Sequence, residues 1–124
     1  MDRTEKVTLV LGASSNPDRV SYEAVIALRT RAIPVLALGR REDFVGDVKI
    51  HKGIIATGMK VHTVTLYMSA ANQVEFYDYI LSLRPKRIIF NPGTGNPEFE
   101  KMATAQGIEV VEGCMLVMLK KGEF

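Results

Sequence analysis

Val7 to Leu11 is a run of five apolar or β-branched residues that stops at Gly12 and leads through Ala13-Ser14-Ser15-Asn16-Pro17 into a segment of helical spacing. A run so short and so apolar predicts a strand buried on both faces, as in a parallel sheet. Ala24, Val25, Leu28 and Ala32 then recur with helical period while Arg29 and Arg31 turn to solvent. The spacing predicts a first helix over about 17–31, with Asn16 or Ser21 as its N-cap. Pro34-Val35-Leu36-Ala37-Leu38, ended by Gly39, predicts a second buried strand. From Arg41 to Lys60 the pattern weakens, punctuated by Gly46, Gly53 and Gly58, and only Val48 to His51 reads as a strand, expected at the sheet edge within a long connection.

Val61 to Met68 is again β-branched and apolar; Ser69 to Asn72 supply helix-start residues, and Val74, Tyr77, Ile80 and Leu81 follow at helical spacing until Pro85. Arg87-Ile88-Ile89-Phe90 predicts a further buried strand, and Asn91-Pro92-Gly93-Thr94-Gly95 a second glycine-rich loop. Asn96 then suits an N-cap, Pro97 the first helical position and Glu98 the positive end of the helix dipole. Phe99, Met102 and Ala103 form that helix's inward face, and Gly107 ends it. Glu109 to Glu112 predicts a last short strand, and the apolar run Met115 to Leu119 suits either a strand or a helix.

Strands alternating with helices at this spacing imply right-handed crossovers. The expected fold is α/β and Rossmann-like: one domain over residues 1–124, doubly wound, with a mainly parallel sheet of about five to six strands and helices on both faces. Ligands of such sheets sit beyond the carboxyl ends of the strands, at the point where strand order reverses. The loops at Gly12 to Asn16, Gly39-Arg40, Met68-Ser69 and Asn91 to Asn96 therefore share one rim. A tight Gly-Ala-Ser turn before a helix leaves backbone N–H groups free to meet an anion, and two glycine-rich loops on one cleft favour a phosphate site over two ordinary turns.

Composition narrows the partners. Hydrophobic residues make up 47% and charged residues 24%, and no apolar run approaches the roughly 20 residues of a membrane span. The charged start Met1-Asp2-Arg3-Thr4-Glu5-Lys6 leaves no room for a signal peptide's apolar region, so a cytoplasmic location is expected. Sixteen basic and 14 acidic residues are interspersed for a net charge of +2, without the basic stripe of a nucleic-acid binder. Cys114 is the single cysteine, which excludes an internal disulfide and any cysteine cluster for zinc.

A dinucleotide reader carries Gly-x-Gly-x-x-Gly after its first strand and an acidic residue about 20 positions on. Here the loop continues Ser15-Asn16-Pro17, and Gly39-Arg40-Arg41 stands where the acid belongs. A guanidinium at that place suits a ligand with an additional phosphate near its ribose, although two solvated arginines on a loop have the same sequence.

The run Gly12-Ala13-Ser14-Ser15-Asn16-Pro17-Asp18-Arg19-Val20-Ser21-Tyr22, then Pro34-Val35 leading to Gly39-Arg40, then Asn91 to Glu98, and finally Gly113-Cys114-Met115 resembles the small CoA-binding protein family. Its members are single domains similar to the nucleotide-binding module of the succinyl-CoA synthetase alpha subunit. The resemblance implies binding of CoA or an acyl-CoA, with the phosphates near Ser14, Ser15, Asn16 and Ser21 and the adenosine phosphate near Arg40. Together with the rim it makes Gly12, Ala13, Arg19, Gly39, Met68, Ser69, Asn91, Gly93 and Asn96 candidate cofactor-binding residues. His62 stands where the family's strand usually begins with Asp, Tyr67-Met68-Ser69 where that strand can end in Phe-Arg, and Asn91 where its second loop often carries Gln. The phosphohistidine segment of the synthetase has no counterpart.

No catalytic residue is assigned. His62 is expected at the strand end opposite the rim, His51 in the weakly defined connection, and Cys114 as an inert thiol, while Asp18, Glu23 and Glu98 sit where carboxylates stabilise helix starts. The resulting expectation is binding without turnover. Its rivals are an NADP-binding oxidoreductase-like protein, favoured by Arg40-Arg41, and a protein-interaction module with a vestigial nucleotide cleft. Expected partners are a CoA ligand and either a second copy of the chain or an acyl-CoA enzyme.

Overall fold

The computed structural model describes residues 6–124; the charged segment 1–5 lies outside the described residues. Seven strands form one sheet: β1 (Thr8–Ala13), β2 (Val35–Gly39), β3 (Asp43–Val45), β4 (Val48–Lys52), β5 (Thr63–Leu66), β6 (Arg87–Phe90) and β7 (Glu109–Glu112). Their spatial order is β3-β4-β2-β1-β5-β6-β7, and every neighbouring pair is parallel except the hairpin of β3 with β4. The helices are α1 (Val20–Thr30), α2 (Ala70–Gln73), α3 (Tyr77–Ser82), α4 (Pro97–Ala105) and α5 (Met115–Lys121), with a 3₁₀ turn, Val74–Phe76, joining α2 to α3.

The alternation of side chains along each strand divides the core into two layers. Leu9, Leu11, Leu38, Val64, Leu66, Ile88 and Phe90 meet Phe76, Tyr77 and Ile80, and Phe99 and Ala103 of α4, on one face. Val10, Ala37, Ile50 and Ile89 meet Ala24, Val25 and Leu28 of α1 and Met115 and Leu119 of α5 on the other. Phe99 has no exposed surface; its ring stacks on Tyr77 at 4.4 Å and meets Phe90 edge-on at 6.1 Å. Met102, expected inward with Phe99 and Ala103, is only partly buried against the same layer.

The structure corrects the expected elements in specific places. The sheet has seven strands rather than five or six, because residues 43–45 double back beside 48–52 through Gly46-Asp47. The strand at Val48 is therefore internal and β3 is the edge. Three residues are too few for a period to show, which is why the hairpin was not legible. The strand expected from Val61 pairs only over Thr63–Leu66. Met115 to Leu119 resolves as α5, closed by Gly122 with φ of 71°. The first helix begins at Val20, not 17, and neither Asn16 nor Ser21 caps it: the N-cap is Arg19, with extended backbone and no side-chain capping bond. Asn16 instead accepts from the Asp18 N–H at 3.0 Å and closes the preceding turn, while Ser21 is buried inside the first turn of α1.

Gly12 fixes the end of β1. The register to β2 shifts between Leu11 and Ala13, so Gly12 forms a bulge, with φ of 93°. A Cβ there would lie 2.8 Å from the Tyr67 carbonyl oxygen. Both the dihedral and the approach exclude a side chain. We expect Gly12→Ala to lower unfolding free energy by roughly 2–4 kcal/mol in urea titrations, from left-handed strain together with backbone displacement. Gly95→Ala, with open space around its Cβ and no positive φ, should stay within about 0.5 kcal/mol of the parent.

Candidate nucleotide-binding rim

The parallel strands all deliver their carboxyl ends to one side of the sheet. From β1 the chain passes to β2 and β4 in one direction, and it returns to place β5, β6 and β7 on the other side of β1. The reversal of strand order thus falls between β1 and β5, with α1 packed on one face and the helices after β5 on the other. Gly12 and Tyr67-Met68 border the crevice at this point, and Gly39 lies beside it, so close to β1 that a Cβ would collide with the Ala13 carbonyl oxygen and come within 2.9 Å of Ile50. Four loops expected at one rim are brought together there: 12–16, 39–40, 68–69 and 91–96.

The first loop is held by local hydrogen bonds. Ser14 Oγ accepts from the Asn16 N–H at 3.1 Å, and the Asn16 carbonyl accepts from the Arg19 N–H at 3.0 Å. Ser15 Oγ donates to Asp43 Oδ2 at 2.6 Å, across to the start of β3. That bond and the Phe44 N–H hold the Asp43 carboxyl below its ordinary pKa. Asn16, Arg19 and Arg40 are exposed, whereas Ala13 and Ser21 are buried. Arg19 contributes no capping side chain; its carbonyl takes the Tyr22 and Glu23 N–H groups at 3.1 and 3.4 Å, so in the first turn of this 11-residue helix the N–H groups of Val20 and Ser21 keep their capacity for an external acceptor.

The second loop is built differently. Asn91 is 3% exposed, and its amide is spent inside the protein: Nδ2 donates to Thr65 Oγ1 at 2.8 Å and to the Leu66 carbonyl at 2.9 Å, while Oδ1 accepts from the Met115 N–H at 2.9 Å. One side chain therefore ties β5, β6 and the start of α5. Asn96 caps α4 as expected, accepting from the Phe99 N–H at 3.1 Å, and its Nδ2 donates to Gln73 Oε1 at 2.9 Å and Tyr77 Oη at 2.8 Å. Gln73 Nε2 donates in turn to the carbonyls of Met68 and Thr94 at 2.9 and 2.8 Å. Thr94 Oγ1 donates to the Asn91 carbonyl at 2.8 Å, and Gly93 is exposed, with φ of 87°. Ser69 stands at the N-cap of α2, exposed, with its hydroxyl accepting from Asn72 at 3.2 Å.

Gln73, Thr65 and Asp43 are parts of the rim that sequence reasoning missed. A buried glutamine amid an apolar helical stripe was a readable signal for the first; the others depend on pairings between distant segments. Tyr67 was also passed over. Its hydroxyl is buried without a hydrogen bond of standard geometry, and burial pushes its pKa up to about 12, only slightly eased by the Thr65 hydroxyl, which Asn91 already engages. Cys114 lies close enough to raise it further and is half-buried at the N-cap of α5. His62 sits at the opposite end of β5, where Nδ1 lies 2.8 Å from Thr63 Oγ1 and burial beside Arg87, Lys6 and Lys86 lowers its pKa. Two hollows among the described residues, about 280 Å³ beside Arg29 and His51 and about 390 Å³ beside Lys86 and Gly107, are not lined by any candidate residue.

A doubly wound, mostly parallel sheet with helices on both faces and a glycine bulge at the strand-order reversal define a Rossmann-like α/β domain. Within that class the chain belongs to the CoA binding domain family, whose sequence pattern matches residues 6–120. It is similar to an uncharacterized protein of known crystal structure, with 44% identity and a TM-score of 0.91 over 96% of this chain and 98% of that one. A hypothetical protein from Pyrococcus horikoshii OT3 shares the fold at 24% identity and a TM-score of 0.84, over 96% of this chain and 84% of that one. A Thermus thermophilus protein does so at 24% and 0.85, over 96% and 90%. No curated protein matches. Among the described residues, no helix is long and apolar enough to cross a membrane.

Removing Asn96 takes away a helix cap and a donor to two buried partners at once. Asn96→Ala is expected to destabilise the fold by about 2–3 kcal/mol in denaturant titrations. Asn96→Asp, which keeps the capping oxygen but loses the amide donor, should restore less than half of that.

Proposed function

We propose that this protein binds CoA or an acyl-CoA, without turning it over, by seating the pyrophosphate on the loop Gly12 to Asn16 and the start of α1. The observation that carries the reading is the pairing of the Gly12 bulge with an α1 start that no side chain caps. The bulge turns the chain over the end of β5, and the Val20 and Ser21 N–H groups and the dipole of the helix start attract a phosphate. Membership of the CoA binding domain family supports the choice of ligand. Arg40, exposed just after β2, is the cation for the phosphate on the adenosine ribose.

In this reading the backbone around Gly93 borders the ligand, while Asn91 and Asn96 act by holding that loop, since their amides are already committed to protein partners. Met68 and Ser69 flank the crevice, and the pantetheine arm runs along the strand ends toward β7 and Cys114. Binding without turnover is supported by where the ionisable groups fall: His62 is at the far end of β5, and the Tyr67 hydroxyl holds its proton at neutral pH.

Thermal unfolding with CoA, acetyl-CoA, NADP and NAD tests the ligand class, because a ligand at 100 times its Kd stabilises by about 2.7 kcal/mol. A rise with CoA species alone is expected, and a rise with NADP alone would replace this reading with the oxidoreductase-like one. Arg40→Ala should weaken CoA about tenfold and leave dephospho-CoA nearly unchanged in calorimetric titrations. Equal losses for both ligands would remove Arg40 from the adenosine phosphate.

A further inference from the structure

The loop assigned to the pyrophosphate is already engaged by an anion of the protein itself. Asp43 begins β3, the outermost strand, yet its Oδ2 takes the Ser15 hydroxyl at 2.6 Å, over the ends of β4 and β2. Its Oδ1 accepts from the Phe44 N–H at 2.8 Å, so both oxygens are held. A phosphate arriving at this loop meets a hydroxyl whose single proton is spent, and a negative charge beside it.

We propose that Asp43 sets the affinity and selectivity of the phosphate loop as an internal competitor: ligand binding exchanges the Ser15–Asp43 hydrogen bond for one from Ser15 to a ligand phosphate. The inference rests on the reading of the loop as a pyrophosphate seat. A weakly anionic ligand does not repay the loss of that bond and the approach to the carboxylate, whereas a ligand whose pyrophosphate also gathers the α1 N–H groups does. The same exchange releases the edge strand from the loop, since this bond joins β3 to the residues after β1.

The test is calorimetric titration of the full chain with CoA and with dephospho-CoA, in the parent, Asp43→Asn and Asp43→Ala. Asp43 is exposed, so both variants are expected to fold, which their unliganded melting curves establish. Removing one like charge about 4 Å from a phosphate should tighten binding about fivefold for both ligands at low salt, and the gain should shrink severalfold near 0.5 M salt. Parent-level or weaker binding of CoA by both variants overturns the role of Asp43 while leaving the CoA reading intact. A gain confined to CoA overturns it too, since the charge would then face the adenosine phosphate. If neither parent nor variants bind either ligand, the CoA reading fails and the competitor role fails with it.

Discussion

The organisation of the rim rests on one close approach, the passage of β1 over the backbone of β5 at Gly12. β1 is the strand at which chain order reverses, with β2 on one side and β5 on the other. Only a residue with no Cβ and a positive φ can turn there, because the Tyr67 carbonyl occupies the space a side chain needs. Gly39 repeats the arrangement one strand away against Ala13. The two glycines let the ends of β1 and β2 approach their neighbours closely, the hydrogen bonds of Ser14, Ser15 and Asn16 hold the loop that follows, and the position of α1 relative to the crevice follows from that turn.

The second loop is held by buried side-chain hydrogen bonds where the first uses close backbone approach and exposed ones. Asn91, Asn96, Gln73 and Thr94 place polar atoms in a region with almost no solvent, and the hydrogen bonds among them offset what burying those atoms costs. Each amide bridges segments far apart in the chain, so the network fixes the ends of β5 and β6 and the starts of α4 and α5 as one body. The backbone of the loop is left facing outward because its side chains are occupied inward.

The layers and the order of elements were legible because they follow from period and punctuation: continuous apolar runs ended by glycine became buried strands, and Asn96-Pro97-Glu98 became a helix start. What was not legible depended on contacts between distant segments. The N-cap is an example: Asn16 has the side chain for a cap, but its carbonyl and Oδ1 close the turn that ends at Arg19, so the helix starts four residues later. The positions of Ser14 to Asn16, Gly39-Arg40 and Asn91 to Asn96 on one rim followed from topology alone. That Asn91 is a tie rather than a free amide did not, since its partners on β5 and α5 are 25 residues or so away on either side.

The link from β4 to β5 carries an arithmetic of its own. It has ten residues, 53–62, and must cross β2 and β1 while descending the length of the sheet. Three strand spacings come to about 14 Å and five residues of strand to about 17 Å, a diagonal of roughly 22 Å. Ten residues wound as a helix reach only about 15 Å, whereas extended chain reaches about 33 Å. Chain length therefore excludes a crossover that is helical throughout, and β2 and β1 are bridged on this face by a strap that buries Val61 and partly buries Ile55 but leaves Ile54 and Met59 in solvent. For this link the geometry of reach, and not helix propensity, decides what lies over β2 and β1, while helices cover the rest of the face.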